Sequence, residues 1–168
     1  MMPEFTLQDV TADDSAGLAE VSGLFAEYAE WLAPFVTHTT IAQELDLLPR
    51  PFAAPSGRLV LATTPDGRAC GCVAVQQHDG AVCEIKRLYV RPEWRGQGLG
   101  RELLSAALDA ACELGYSIAL VSSIPAHMPE AAAMYERSGF VRTHRFEDHT
   151  HAEVEMVYLR LDLGDWCE

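Results

Sequence analysis

A mixed α/β fold of the α+β kind, with a mainly antiparallel sheet flanked by helices, is predicted by three features of the sequence. Segments with apolar residues at every third or fourth position alternate with short runs rich in Val, Ile, Leu and Thr. Three of these runs follow one another with only Pro65-Asp66-Gly67 and Asp79-Gly80 between them, as antiparallel hairpins require. A glycine-rich segment then separates the third run from a long helix with one apolar face.

The elements follow in order. Phe5, Leu7 and Val10 predict a short first strand, and Asp13, Asp14 and Ser15 offer N-cap groups for a helix. Leu18, Val21, Phe25, Tyr28 and Leu32 keep helical spacing, and Pro34 closes that helix. Thr40 and Gln43 form a capping-box pattern before a short helix carrying Ile41, Leu45 and Leu48. Pro49, Pro51 and Pro55 make a loop. Strands are expected over Arg58–Thr63, Ala69–Gln77 and Val82–Val90, the last ended by Pro92. Leu99, Leu103, Leu104, Ala107, Leu108 and Ala111 give the next helix its apolar face, and Gly115 caps it. Ile118–Ser122 reads as a short buried strand. Pro129 opens a helix that runs to Ser138, with Gly139 as its cap. Phe140–Phe146 and Glu153–Leu161 complete the sheet as an antiparallel pair. No linker or repeat interrupts the 168 residues, so one domain spanning 1–168 is expected.

Hydrophobic residues make up 49% of the chain, enough for a sizeable core. The net charge of −13 argues against nucleic-acid binding; it suits a cationic acceptor such as an amine, and equally a surface that is acidic only for solubility. Lys86, Arg87, Arg91, Arg95 and Arg101 are bunched, which leaves room for a local anion site. No apolar run spans a bilayer and the N-terminus has no signal-peptide pattern, so no membrane partner and a cytoplasmic location are expected. The five cysteines are odd in number and lack a C-x-x-C pair, so neither a disulfide framework nor a zinc site is expected. Cys70 and Cys72 are expected on one strand face, as small core residues.

The segment Cys83–Leu104, CEIKRLYVRPEWRGQGLGRELL, holds the most chemical information. A strand ends, a loop places Gly96, Gly98 and Gly100, and a helix begins. Glycines let the main chain approach an anion, and the amides and dipole of a helix start favour negative charge. Arg95 adds a direct charge. The Walker pattern is absent, and the G-x-G-x-G spacing does not meet the dinucleotide fingerprint.

Arg95-Gly96-Gln97-Gly98-Leu99-Gly100 resembles the [RQ]-x-x-G-x-[GA] signature of the GNAT superfamily of N-acetyltransferases, of bacterial type. Lys86-Arg87-Leu88-Tyr89-Val90-Arg91-Pro92 and Ala133-Met134-Tyr135-Glu136-Arg137-Ser138-Gly139-Phe140 extend the resemblance, and the element order agrees along nearly the whole chain. The resemblance implies acetyl-CoA as cosubstrate and no metal. It implies that main-chain groups of Leu88, Tyr89 and Val90 hold the pantetheine arm. Those from Arg95 through Gly96, Gln97, Gly98 and Leu99 to Gly100 would hold the pyrophosphate, in a gap where the strands of Val90 and Ile118 splay. Members often carry Asn just after the latter strand; here Ser122 and Ser123 stand there, and Ser123 takes the cofactor contact.

Acetyl transfer to an amine needs a neutral nucleophile, a stabilised oxyanion and a proton for the departing thiolate. The resemblance implies Glu84 or, as in many members, a water chain as general base, the Leu88 amide as oxyanion donor, and Tyr135 as general acid and cofactor contact. Alternation along the strand would put Glu84, Lys86 and Leu88 on one face and Ile85, Arg87 and Tyr89 on the other. A buried thiol is the expected state of Cys83. His149 and His151, with Glu147 and Asp148, read as a polar hairpin rather than metal ligands. Trp31, Phe35 and His38 fall where the family lines its acceptor pocket, and His127 precedes the Tyr135 helix. The acceptor is expected to be a small amine. Alternatives are a protein N-terminus or lysine as acceptor and a non-catalytic acyl-CoA sensor, whereas the acidity argues against a tRNA-acetylating toxin. Monomer and homodimer are both left open.

Overall fold

The computed structural model describes residues 4–36, 40–147 and 154–167. Its elements are β1 (Thr6–Asp9), α1 (Ser15–Leu32), α2 (Ile41–Leu47), β2 (Arg58–Thr63), β3 (Ala69–Asp79), β4 (Val82–Val90), α3 (Leu99–Glu113), β5 (Ile118–Ser123), α4 (Pro129–Arg137), β6 (Val141–Arg142) and β7 (Val157–Asp162), with one 3-10 turn at Pro92–Trp94. The order of helices and strands is the predicted one. The seven strands form one sheet in the order β1-β2-β3-β4-β5-β7-β6. Every pairing is antiparallel except that of β4 with β5.

Helices cover both faces. Leu99, Leu103, Leu104, Ala107, Leu108 and Ala111 of α3 are buried with Val60, Val73, Val75, Cys83 and Ile85 of the sheet. Val21, Leu24, Phe25 and Leu32 of α1 are buried with Leu59, Leu61, Cys72, Ala74 and Tyr89 on the opposite face. Burial of a Leu or Phe side chain stabilises by about 1.5–3 kcal/mol, so these two faces supply most of the fold's cohesion. Asp14 caps α1, its Oδ1 accepting from the Gly17 amide at 2.9 Å.

Local geometry overrides the sequence reading at five points. The β2–β3 register slips between Ala62 and Thr63, so Cys70 packs on the α3 side and Cys72 on the α1 side rather than on one face. A second slip, in β3–β4, pairs Cys72 with Tyr89 but Ala74 with Lys86, and Arg87 takes φ 59° there. This bulge turns Leu88 over: it packs with the α3-side core, while Glu84 and Lys86 stay on the other side. Thr40 precedes α2 without capping it through its side chain. Its hydroxyl instead donates to Glu44 Oε2 at 2.6 Å and accepts from Arg87 Nη2 at 2.8 Å. The strand expected over Phe140–Phe146 shrinks to Val141–Arg142. The chain beyond it leaves the ladder to set Phe146 edge-on to Tyr158, ring centroids 5.1 Å apart.

The fifth correction is covalent. Cys112, at the end of α3, is bonded to Cys167 with Cα atoms 5.5 Å apart. The C-terminal turn folds back onto α3, and Trp166 Nε1 donates to Asp109 Oδ1 at 3.0 Å. The partners are 55 positions apart, so their meeting depends on tertiary path and leaves no spacing signal.

Candidate active site

The sheet divides where the site lies. β4 and β5 pair only at Val82–Ile118, Cys83–Ala119 and Glu84–Leu120. Beyond Glu84 the strands part, and main-chain groups of β4 on that edge have no strand partner in β5. Leu88, Tyr89 and Val90 lie on the freed stretch, so the predicted splay is present.

At one end of the split, the chain passes from the 3-10 turn into α3. Gly96 and Gly98 hold φ 77° and 86°, where an L side chain is strained, and the space a Cβ would enter is open at both. Gly98 is the N-cap of α3 and offers no side chain to its first amides. A helix start of this kind retains donors for an anion. Main-chain donors of residues 95–100 could hold an anion such as the diphosphate of an acyl-CoA. Arg95 borders the same cavity. Its Nε donates to the Val90 carbonyl at 2.8 Å, and its guanidinium lies 5.6 Å from the Tyr89 ring centroid. Gln97 Nε2 donates to the Glu93 carbonyl at 3.4 Å. Two other arginines of the basic bunch are engaged in the scaffold: Arg91 with Glu27 at 2.6 Å and the Ala69 carbonyl at 2.8 Å, and Arg87 with both oxygens of Glu44 at 2.7 Å.

Among the described residues, two adjoining cavities border the split. The larger, about 420 Å³, runs from Arg95, Gly96, Gly98 and Gly100 past Leu88 to Tyr28 and Trp31 of α1. The smaller, about 70 Å³, is polar and is bordered by Glu84, Lys86, Ser122, Ser123, Tyr135 and Glu147. Tyr28, Leu88, Met128 and Ala131 line both, so the two adjoin.

Glu84 is 9% exposed, and its carboxyl is pushed up to about 7. Burial is the main cause; Lys86 opposes it and Glu147 adds to it. Lys86 does not neutralise Glu84 by a direct bond but reaches Glu44, 3.5 Å away. Tyr135 is the buried residue of α4, held edge-on to Phe140 at 5.7 Å between ring centroids. Burial drives its phenol well above the ordinary tyrosine value of 10, which keeps the proton on the oxygen at all ordinary pH. Ser123 is 1% exposed, and its Oγ has no hydrogen-bond partner among the described residues. Ser122 Oγ donates to Glu147 Oε1 at 3.1 Å. Burial raises Cys83 to about 12, so the inert thiol expected there is what the fold provides.

Glu84, Leu88, Tyr89, Val90, Arg95, Gly96, Gly98, Leu99, Gly100, Ser123 and Tyr135 therefore border one connected split. Trp31 and His127 join it, and Phe35 stands behind them, stacked on His127 with centroids 3.8 Å apart. Sequence reasoning missed Tyr28, Met128 and Glu147. Tyr28 reads as an ordinary core position on its helix, and Glu147 reaches the cavity only because the segment after β6 folds onto β5. Asp148, His149 and His151, as well as His38, lie outside the described residues. Among the described residues, no cluster of three or more His, Cys, Asp or Glu side chains is arranged for a metal, and no helix is long and apolar enough to cross a membrane.

Comparison with known proteins agrees with this geometry. A family model for the acetyltransferase (GNAT) domain matches residues 55–142. An uncharacterised N-acetyltransferase of Schizosaccharomyces pombe is 34% identical over 143 residues, covering 84% of this chain and 85% of that one. An aminoglycoside N(6')-acetyltransferase type 1 of Stenotrophomonas maltophilia is 30% identical over 131 residues, covering 71% and 76%. Spermidine N-acetyltransferase of Vibrio cholerae, solved with CoA and spermine, superposes with a TM-score of 0.72 at 15% identity, over 98% of each chain, a likeness of fold. The split sheet, the glycine loop at the start of α3 and these relatives lead to one assignment: the chain belongs to the GNAT superfamily of N-acetyltransferases.

Proposed function

We propose that this acetyltransferase uses acetyl-CoA and transfers the acetyl group to the primary amine of a small molecule by direct attack. The observation that carries this reading is the parting of β4 and β5 after Glu84–Leu120, which gathers a diphosphate cradle, a carboxylate near neutrality and a protonated phenol around one split. Acetyl-CoA, when bound, supplies an acyl carbon activated as a thioester. The main chain of residues 95–100 grips its diphosphate, and the freed edge at Leu88, Tyr89 and Val90 orients its arm.

Glu84 removes a proton from the incoming ammonium, leaving a neutral nucleophile. The Leu88 amide holds the negative charge that develops on the carbonyl oxygen. As the new C–N bond forms and the C–S bond breaks, Tyr135 gives its proton to the sulfur, and the proton that the nitrogen sheds in becoming an amide restores the phenol. The spermidine and aminoglycoside acetyltransferases among the relatives support a small amine as acceptor. Calorimetric titration with acetyl-CoA, followed by thiol release across a panel of amines, tests the proposal. Saturable binding and amine-dependent thiol release are expected, and a protein that does not bind the thioester refutes it.

A further inference from the structure

The side chains around the amine end of the split differ in kind from those along its length. Glu84, Glu147, Ser122 and Ser123 border the small cavity with Tyr135, and the two cations that also border it, Lys86 and Arg87, are both paired with Glu44. The Ser123 hydroxyl is almost wholly buried and unpartnered among the described residues, and the volume of about 70 Å³ suits a group the size of one ammonium. Along the larger cavity the wall on the α1 side is aromatic. Tyr28 stacks on Tyr89 with centroids 5.4 Å apart and planes at 24°, and on Trp31 at 6.4 Å and 27°.

The carboxylates behind that wall are already spent on the protein itself. Glu27 is held by Arg91 at 2.6 Å, and Glu44 by Arg87 at 2.7 Å and Lys86 at 3.5 Å. On the α1 side a second ammonium on the acceptor would meet ring faces and neutralised acids, and the carboxylate on the cavity's other wall, Glu130, stands exposed to solvent at the start of α4. A flat apolar body would meet parallel rings at stacking distance.

On the reading given under Proposed function, we infer that the preferred acceptor is a monoamine whose amine sits among Glu84, Glu147 and Ser123 and whose aromatic body lies along Tyr28 and Trp31, rather than a polyamine or an aminoglycoside. Trp31 is then a specificity residue. Its ring offers the acceptor a face, and its removal costs affinity for the amine and not for the thioester.

The test compares kcat/KM for 2-phenylethylamine and tryptamine with that for spermidine and kanamycin, on the full chain with acetyl-CoA, alongside calorimetric binding of acetyl-CoA. The arylalkylamines are expected to lead by at least tenfold. Trp31→Ala is expected to raise their KM about tenfold with acetyl-CoA affinity unchanged, and Trp31→Phe, which retains a ring, to recover most of the loss. Higher kcat/KM for spermidine or kanamycin overturns the inference while leaving the amine acetyltransferase intact. So does an arylalkylamine KM that Trp31→Ala leaves unmoved. A protein that binds no acetyl-CoA, or acetylates no amine in the panel, overturns the parent reading and this inference together.

Discussion

Replacing Glu84 by Gln separates the chemical role of this carboxyl from its cost to the fold. The side chain is 9% exposed, and burial is the main reason its carboxyl rises from 4.5 to about 7. An acid whose folded value is raised binds its proton more tightly in the native state, so the stability it contributes is present at low pH and is lost as pH climbs from 4.5 through about 7. At 1.36 kcal/mol per pH unit, the difference amounts to roughly 3 kcal/mol once both states are ionised. Glu84→Gln keeps the size and removes the charge. The variant should match the wild type in urea denaturation at pH 4.5 and exceed it by up to about 3 kcal/mol at pH 9, less what Lys86 loses when its neighbour is neutral. Activity should move the other way. Wild-type kcat/KM should rise with unit slope to a plateau above about pH 7, and the Gln variant should lose about 10²–10⁴-fold with that ionisation gone. A wild-type profile flat from pH 5.5 to 8.5, or a stability difference that does not grow with pH, would refute the assignment of a buried carboxyl that ionises near neutrality.

Three further outcomes are expected. Tyr135→Phe should lower kcat about 100-fold with acetyl-CoA affinity unchanged by calorimetry, and wild-type activity should show no falling limb below pH 10 from this phenol, because burial raises it. Gly98→Ala should weaken acetyl-CoA binding about tenfold or more, since φ 86° at the N-cap of α3 costs a non-glycine residue about 1–2 kcal/mol and distorts the cradle. Cys112→Ser should lose about 4 kcal/mol of stability under oxidising conditions, the loop-entropy value for a closure of 55 residues, and nothing relative to wild type in excess reductant.

The periodicities that placed α1, α3 and β2 through β5 in the sequence are local properties, and those elements appear within a residue or two of their expected bounds. The loop that opens α3 was legible for a similar reason: Arg95 to Gly100 encode a turn and a helix start in six consecutive residues. What escaped the sequence depends on where distant segments meet. Arg87 read as part of an anion site because it stands among basic residues, yet Glu44 on α2 claims it through two hydrogen bonds at 2.7 Å. Glu147 belongs to the polar cavity through Ser122, 25 residues earlier. The face of Leu88 was misplaced because strict alternation assumes an unbroken ladder, and a single left-handed residue breaks it. The Cys112–Cys167 bond had no pattern to announce it.

The left-handed backbone at Arg87 gives β4 two phases. Before it, the strand sends Glu84 toward the polar chamber; after it, the same strand sends Leu88 toward α3 and Tyr89 toward α1. On the proposed mechanism, chemistry and cosubstrate handling are thereby carried by one short segment whose halves are set out of step by one inserted position. A chain shortened by that one position would keep every functional side chain in its sequence order and still point the second half the wrong way.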